Sequence, residues 1–183
     1  MKKTVLFIHS AGPQGQGQGS SNLSSYLSKQ LGDNYQFVSP EMPEPENPAY
    51  VSWKKQLEKE LNKLTGEIIL VGHSLGGSVL LKYLTEQSSN LVFSGLFIIA
   101  SPFWGLDEKW QSKEFTLQPN FEHKLPGIPS LFLYHSADED IVPFTHHKAY
   151  AEKLPQATAR ELEGKQHLFD QGLPILVQDI KGL

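Results

Sequence analysis

Short apolar runs alternate with amphipathic segments along almost the whole chain. The apolar runs are rich in β-branched and aromatic residues and lack polar alternation, a composition typical of strands buried on both faces. The intervening segments repeat their apolar residues with helical spacing. This alternation indicates βαβ units, so we predict an α/β fold: a three-layer α/β/α sandwich around a six-stranded, mostly parallel sheet. The strand order should be 2-1-3-4-5-6, with right-handed crossovers.

The positions of the predicted elements follow from this pattern. Strands are predicted at residues 4–9, 35–39, 67–71, 91–100, 130–135 and 157–162. Helices are predicted at residues 20–31, 48–64, 75–87, 144–154 and 173–181, and the first of them has Ser20 or Ser21 as its N-cap. Residues 101–127 have no clean period. Their aromatic side chains could line an acyl or aryl pocket or simply fill the core; they include Phe103, Trp104, Trp110 and Phe115.

Length and composition exclude several classes of protein. The 183 residues fit a single domain, 1–183, and the formal charge of −4 provides no basic stripe for nucleic acid. The absence of cysteine excludes disulfides, thiolate metal sites and a thiol nucleophile. Residues 91–100, the longest nearly apolar run, are half of the ~20 residues that a membrane-spanning helix needs. The apolar run after the N-terminal Met-Lys-Lys is too short for a secretory leader, so we expect a cytoplasmic protein.

The segment Gly72-His73-Ser74-Leu75-Gly76-Gly77 lies between a predicted buried strand and a predicted helix. This is the context of the Gly-x-Ser-x-Gly nucleophile elbow, where a strand turns directly into a helix and presents a serine hydroxyl. Glycines are needed two positions before and after the serine because the backbones crowd there. The helix N-terminus directs free N–H groups at the same point. Ser74 is therefore the candidate nucleophile, and the Leu75 N–H a candidate oxyanion-hole donor.

A serine nucleophile needs a base, and for this elbow the chain order is serine, acid, histidine. The histidines that follow Ser74 are His123, His135, His146, His147 and His167. His167 alone follows the last predicted strand on a loop at the carboxyl edge of the sheet, where such folds place their ligands. We predict His167 as the general base and interpret His135, at the end of a strand, as structural.

Three consecutive acids, Asp138, Glu139 and Asp140, follow the strand predicted at residues 130–135. An acidic cluster alone is usually a solvated loop, but the chain order places the orienting carboxylate here. Chemistry favours Asp138, because aspartate is the commoner triad acid and its shorter side chain has less rotamer freedom to lose. Glu139 is the alternative acid.

The loop after the first strand should supply the second oxyanion-hole donor, a backbone N–H of Ser10 or Ala11. Residues 12–19 (GPQGQGQG) match neither the dinucleotide spacing nor the Gly-x4-Gly-Lys-Ser/Thr phosphate loop, so we interpret them as a loop beside the site that could cover it. There is no His-Glu-x-x-His, and the neighbours His146 and His147 cannot both face one ion from a helix. We predict neither a metal nor another cofactor.

The sequence resembles the α/β-hydrolase superfamily, and more narrowly its small branch that includes retinoblastoma-binding protein 9 and bacterial relatives. The matching features span most of the chain. They are the strand followed by His9, Met42-Pro43-Glu44-Pro45 with Trp53 downstream, Gly72-His73-Ser74, residues 136–143 ending in Val142-Pro143, and His167 followed by Phe169. The resemblance implies a minimal α/β-hydrolase fold without a large lid, and serine-hydrolase activity on small esters or amides.

The chain departs from the pattern of this branch at several positions. Ser10 replaces the usual glycine, and Gln166-His167-Leu168-Phe169 replaces Gly-His-Phe. The retinoblastoma-binding Leu-x-Cys-x-Glu element cannot exist without cysteine, so the resemblance implies no such partner. Alignment through Val142-Pro143 without gaps places the acid at Glu139 and disfavours Asp140, against the chemical preference for Asp138.

These observations predict a serine hydrolase that cleaves small ester or amide substrates through an acyl-enzyme intermediate. A Ser-Asp/Glu-His triad would carry the reaction, with a small molecule as substrate and neither nucleic acid nor membrane as partner. The alternative is a hydrolase-fold protein-interaction module with vestigial activity. A nucleotide-binding doubly wound protein is disfavoured by the spacing of the glycines.

Overall fold

Six strands form one sheet in the order β2-β1-β3-β4-β5-β6, and all neighbouring strands run parallel. The computed structural model describes residues 2–183. The strands are β1 (Lys3–Ile8), β2 (Tyr35–Val38), β3 (Glu67–His73), β4 (Val92–Ile99), β5 (Leu131–Ser136) and β6 (Thr158–Leu162). The helices are α1 (Ser21–Leu31), α2 (Tyr50–Leu61), α3 (Leu75–Glu86), α4 (Thr145–Lys153) and α5 (Pro174–Lys181). The predicted strand number and order are confirmed.

Several element bounds differ from prediction for local reasons. Helix α2 begins at Tyr50 rather than at residue 48, because Ala49 before it is extended, with φ −112° and ψ 130°. The chain leaves α2 after Leu61 through i to i−3 turn bonds, in which Lys63 and Leu64 donate to carbonyls three residues earlier. Strand β4 continues past Ser94 through a bulge, because Ile68 pairs with Phe93 and Ile69 with Gly95.

Side chains of the central strands alternate between two separate cores, as a sheet covered on both faces requires. One face packs against α2, α3 and α4, and its buried strand residues are Leu6, Ile8, Ile68, Leu70, Leu96 and Ile98. The other face packs against α1 and α5, and its buried strand residues are Val5, Phe7, Ile69, Val71, Phe97 and Ile99. The three-layer arrangement predicted from the apolar runs is confirmed.

The irregular segment between β4 and β5 packs its aromatic side chains over the core. Trp104 donates its indole N–H to Ser78 Oγ on α3 at 3.0 Å and packs against Phe115, whose side chain is buried. Trp110 contacts the His146 ring edge-on, with the ring centroids 5.6 Å apart. The segment is therefore fixed to α3 and α4 by its aromatics.

Across residues 2–183, every helix is too short or too polar to cross a bilayer.

The N-terminus of α3 crosses the end of β1 without space for a side chain. A Cβ on Gly76 would lie 2.1 Å from the Ile8 carbonyl oxygen, whereas a Cβ on Gly127 would meet no heavy atom within 4 Å. We predict that Gly76→Ala lowers the free energy of unfolding by ~1–3 kcal/mol or more, because helix and strand must separate. Gly127→Ala is the matched control in urea unfolding. Equal stability of the two variants would show that the crossing is not tight.

Candidate active site

The carboxyl edge of the sheet brings most of the predicted site residues to one place. Ser10 and Ala11 follow β1, Ser74 follows β3, and His167 lies on the loop after β6. All four line one pocket of about 430 Å³. The aromatic side chains of residues 103–115 do not line this pocket. Of the two roles considered for them, the structure supports core packing.

Ser74 occupies the turn between β3 and α3 in a backbone conformation that non-glycine residues rarely adopt. Its φ is 52° and its ψ −120°, and its N–H donates to the Ile99 carbonyl of β4 at 2.8 Å. Such strain costs on the order of 1–3 kcal/mol and persists only where the surroundings enforce it. The close approach of Gly72 to Gly77 enforces it here, because a Cβ on Gly72 would lie 2.6 Å from Gly77 Cα. Ser74 therefore has the geometry of a nucleophile elbow.

A buried carboxylate orients the His167 ring. His167 Nδ1 lies 2.6 Å from Glu139 Oε1, and the Glu139 side chain is 0% exposed. The Val142 N–H also donates to Oε1. Glu139 Oε2 lies 3.1 Å from His135 Nε2, whose N–H donates to the Val142 carbonyl at 2.8 Å. A carboxylate that accepts from Nδ1 leaves Nε2 of His167 as the basic nitrogen.

Across residues 2–183, neither of the neighbouring acids is hydrogen-bonded to His167, which pairs with Glu139. Asp138 accepts a hydrogen bond from the Ser136 hydroxyl and is exposed. Asp140 is also exposed. Side-chain length favoured Asp138 as the partner of His167. The structure instead pairs His167 with the alternative acid, Glu139. The reason is local: the turn after β5 directs residue 138 back onto Ser136 and residue 139 into the protein.

Glu139 is held in its ionised form. Burial raises the pKa of its carboxyl, but the close contact with His135, the hydrogen bond with His167 and the Val142 N–H outweigh burial and lower the pKa to about 2. A buried anion therefore lies against Nδ1 of His167, the residue predicted as the general base.

Ser74 and His167 face the same pocket without being hydrogen-bonded to each other. Within residues 2–183, the Ser74 hydroxyl has no hydrogen-bond partner, although both side chains line the pocket. Catalytic hydrogen bonds are often loose in the free enzyme and tighten when substrate binds.

The predicted oxyanion-hole donors differ in availability. In the described chain no acceptor takes the N–H of Leu75 at the start of α3 or that of Ala11. The Ser10 N–H, in contrast, donates to Ser20 Oγ at 2.8 Å and is not free for an oxyanion. The geometry therefore retains Leu75 and Ala11 as candidates and removes Ser10.

The loop of residues 12–19 forms one wall of the pocket through Gly17, Gln18 and Gly19. Gln14 fixes this loop, because its amide donates to the Ser10 and Gly12 carbonyls and accepts from the Ser20 N–H. Gly19 has φ 52°, and a Cβ there would lie 2.2 Å from the Gln14 amide nitrogen. Glycine at residue 19 thus allows the end of this loop to pack closely against Gln14.

His9 explains why the segment beginning at Met42 matters. His9 Nδ1 donates to the Ser10 carbonyl at 2.7 Å, and its Nε2 accepts from the Met42 N–H at 2.9 Å. Trp53 packs edge-on against His9, with ring centroids 5.4 Å apart, and donates its indole N–H to the Pro43 carbonyl. The sequence pattern marked these residues as a resemblance but gave no indication of this support of the loop after β1.

The remaining histidines have other surroundings. His146 accepts the Phe103 N–H and lies 3.1 Å from Asp107, His147 is buried in α4, and His123 is exposed. His135, interpreted from sequence as structural, contacts the carboxylate that orients His167, a role for which position at a strand end gave no signal. No group of three or more potential ligands in residues 2–183 is arranged to hold a metal ion.

Known structures share this architecture. The ydeN gene product of Bacillus subtilis superposes with a TM-score of 0.83 at 22% identity, over 100% of this chain and 98% of that one. The carbazole-degradation serine hydrolase CarC gives a TM-score of 0.74 at 13% identity, over 98% and 90% of the two chains. Est1E from Butyrivibrio proteoclasticus gives 0.70 at 12% identity, over 99% and 86%. These likenesses establish the fold as that of the α/β hydrolases.

The sequence comparisons agree with the fold. YdeN of Bacillus subtilis (strain 168), named as a candidate hydrolase, is 27% identical over 182 residues, which cover 96% of this chain and 93% of YdeN. The family model described as serine hydrolase matches residues 16–173. That range includes the strained Ser74 and the paired Glu139 and His167. The chain therefore belongs to the serine hydrolase family.

Proposed function

We propose that this hydrolase cleaves small, uncharged esters through an acyl-enzyme intermediate, with Ser74, His167 and Glu139 as its triad. The observation that carries the proposal is the buried Glu139–His167 pair, whose histidine opens onto the same pocket as the strained Ser74. A buried ionised carboxylate destabilises the fold unless it is paired. Here its partner is an imidazole, which it orients.

The reaction follows from these positions. Ser74 Oγ attacks the ester carbonyl while His167 Nε2 accepts the hydroxyl proton, and the Leu75 and Ala11 N–H groups stabilise the tetrahedral oxyanion. His167 then gives that proton to the leaving alkoxide oxygen as the carbon–oxygen bond breaks. Water attacks the acyl-enzyme by the same route, releasing the carboxylic acid and restoring Ser74. Glu139 stays ionised throughout.

The lining of the pocket supports an uncharged substrate. Apart from Ser74 and His167 it consists of small, polar uncharged and apolar residues, among them Ala11, Leu168 and Ile141, and Ile141 is 50% exposed. An aminoacyl amide would bring an ammonium group, which needs a carboxylate partner. Asp140 and Asp170 line an adjoining pocket of about 370 Å³ that shares Ile141, His167 and Leu168 with this one, but neither carboxylate lines the pocket that contains Ser74. This arrangement favours esters over aminoacyl amides.

The interaction module with vestigial activity is less well supported. A strained serine and a buried carboxylate each cost stability, and a binding surface requires neither.

The first prediction concerns Ser74. Ser74→Ala should fold like the parent and lose both labelling by a fluorophosphonate probe and turnover, up to about a million-fold as in other triad knockouts. The parent should hydrolyse short aryl esters faster than an aminoacyl aryl amide. Persistent labelling of Ser74→Ala would contradict the mechanism, and an inert parent would favour the interaction module.

The second prediction concerns the acid. Glu139→Gln should lower turnover by on the order of 10⁴, because His167 loses the partner that fixes its tautomer. Asp138→Asn and Asp140→Asn are the matched controls from the same turn and should stay within about tenfold of the parent. Steady-state kinetics together with melting temperatures separate this effect from unfolding. A larger loss in Asp138→Asn would restore the acid preferred from chemistry.

The third prediction concerns acid stability. The pKa of the Glu139 carboxyl is about 2 in the folded protein against an ordinary value of 4.5. Between these values the unfolded chain binds a proton that the folded protein does not, so stability present above pH 4.5 is lost as the pH falls towards 2. Urea unfolding between pH 7 and 3 should therefore show a shallower acid loss in Glu139→Gln than in the parent. Asp140→Asn is the control, and identical slopes in all three proteins would contradict the lowered pKa.

A further inference from the structure

A buried chain of hydrogen bonds runs beneath the pocket from the loop after β1 to the loop that holds His167. Ser20 Oγ lies 2.8 Å from the Ser10 nitrogen, 3.1 Å from Ser10 Oγ and 2.7 Å from His73 Nδ1. His73 Nε2 lies 2.8 Å from the His167 carbonyl oxygen. Ser20 and His73 are each 0% exposed. The chain thus joins the connection between β1 and α1, the end of β3 and the loop after β6, which are far apart in sequence.

Chemistry fixes the direction of each bond. A carbonyl only accepts, so His73 Nε2 carries the proton that it donates to His167. Burial lowers the pKa of His73 to about 3, so the ring is neutral and its Nδ1 accepts. The Ser20 hydroxyl must then donate to Nδ1. With its hydrogen used, Ser20 Oγ accepts from the Ser10 N–H, and the Ser10 hydroxyl oxygen lies 3.1 Å from it.

Ser20 is not the helix cap that its position suggests. It stands at the N-cap of α1, but its side chain makes no capping bond. A serine at an N-cap usually accepts from the first turn of its helix. Here the hydroxyl is committed to Ser10 and His73 instead, so the identity of residue 20 serves the site rather than the helix.

We propose that Ser20 and His73 are positioning residues, which hold the Ala11 N–H and the His167 ring at a fixed separation around Ser74. The Ser10 N–H bond to Ser20 fixes the peptide next to the Ala11 N–H. The bond from His73 fixes the backbone of His167 itself. The proposal rests on the proposed triad, in which those two groups act on opposite sides of the same carbonyl.

The physical reason is that catalysis tolerates little displacement of the groups that act on the substrate. Groups that stabilise an oxyanion or move a proton must be held to within about 0.5 Å, and loops alone rarely provide this. The loop after β6 holds two strained residues, Gln166 at φ 52° and Phe169 at φ 53°. A backbone held in that conformation needs external fixing, and His73 supplies it through its contacts with both His167 and Phe169.

The test is Ser20→Ala in the full-length protein. We expect kcat to fall about 10–100-fold, less than for outright loss of an oxyanion donor, while KM stays within about twofold. Affinity for a trifluoromethyl ketone, which Ser74 converts into an anionic adduct, should fall by the same factor as kcat. Ser24→Ala is the matched control: its hydroxyl lies on the same helix, exposed and bonded to Ser39 Oγ.

Two further variants keep the test decisive. Ser20→Thr retains the hydroxyl and should keep most of the parent kcat. His73→Phe preserves a ring but breaks the same chain at its other bonds, so Ser20→Ala combined with His73→Phe should cost less than the product of the two single effects. His73→Phe alone tests the chain if Ser20→Ala does not fold.

The contrary results are specific. A kcat of Ser20→Ala equal to that of Ser24→Ala would overturn the proposal, as would a fall in kcat without the matching loss of ketone affinity, or full additivity in the double variant. An active Ser74→Ala would instead overturn the proposed triad, so the two failures are distinguishable.

Discussion

The site depends on one crossing, where the N-terminus of α3 presses against the ends of β1 and β3. The three glycines of the elbow leave no room for Cβ atoms there: a Cβ on Gly77 would lie 2.9 Å from the Ser101 side chain, on the chain that follows β4. Because helix and sheet approach so closely, Ser74 is forced to a positive φ, and across residues 2–183 the Leu75 N–H has no acceptor. The position of Ser74 and the start of α3 at Leu75 are therefore set by backbone packing.

The loops around this crossing are fixed by buried imidazoles. His9 holds the loop after β1 to Met42, His73 holds the loop after β6, and His135 contacts Glu139. Burial lowers the pKa of both His9 and His73, so these rings are neutral donors and acceptors. Neutral imidazoles can form hydrogen bonds with backbone groups without placing a further charge near Glu139. In the proposed mechanism, the buried carboxylate can then stabilise the proton that His167 receives.

Periodicity and chain order were enough to predict the strand order, whereas the direction of individual side chains within one turn could not be predicted from the sequence. The strand order followed from the alternation of apolar runs, and the positions of Ser74 and His167 from strand ends that must share one edge. The choice between Asp138 and Glu139 depends on which side chain the turn after β5 directs inwards, and Ser136 decides that by binding Asp138. Ser20 or Ser21 was predicted as the N-cap of α1. Ser20 does occupy that position, but its hydroxyl binds Ser10 and His73 instead of the helix, and a serine before a helix gives the same sequence signal in both cases.

The pairing of His167 with a glutamate has a consequence for the surroundings of that glutamate. Glutamate has one more rotatable bond than aspartate, so holding it in one rotamer costs more side-chain entropy. The longer side chain reaches His167 from a backbone position at the outer side of the turn, where Ala137 and Asp138 are exposed. It is kept there by the Val142 N–H on Oε1 and by His135 beside Oε2. An aspartate at residue 139 would be too short to make these contacts. The turn, His135 and the extra methylene of glutamate together place the carboxylate against His167.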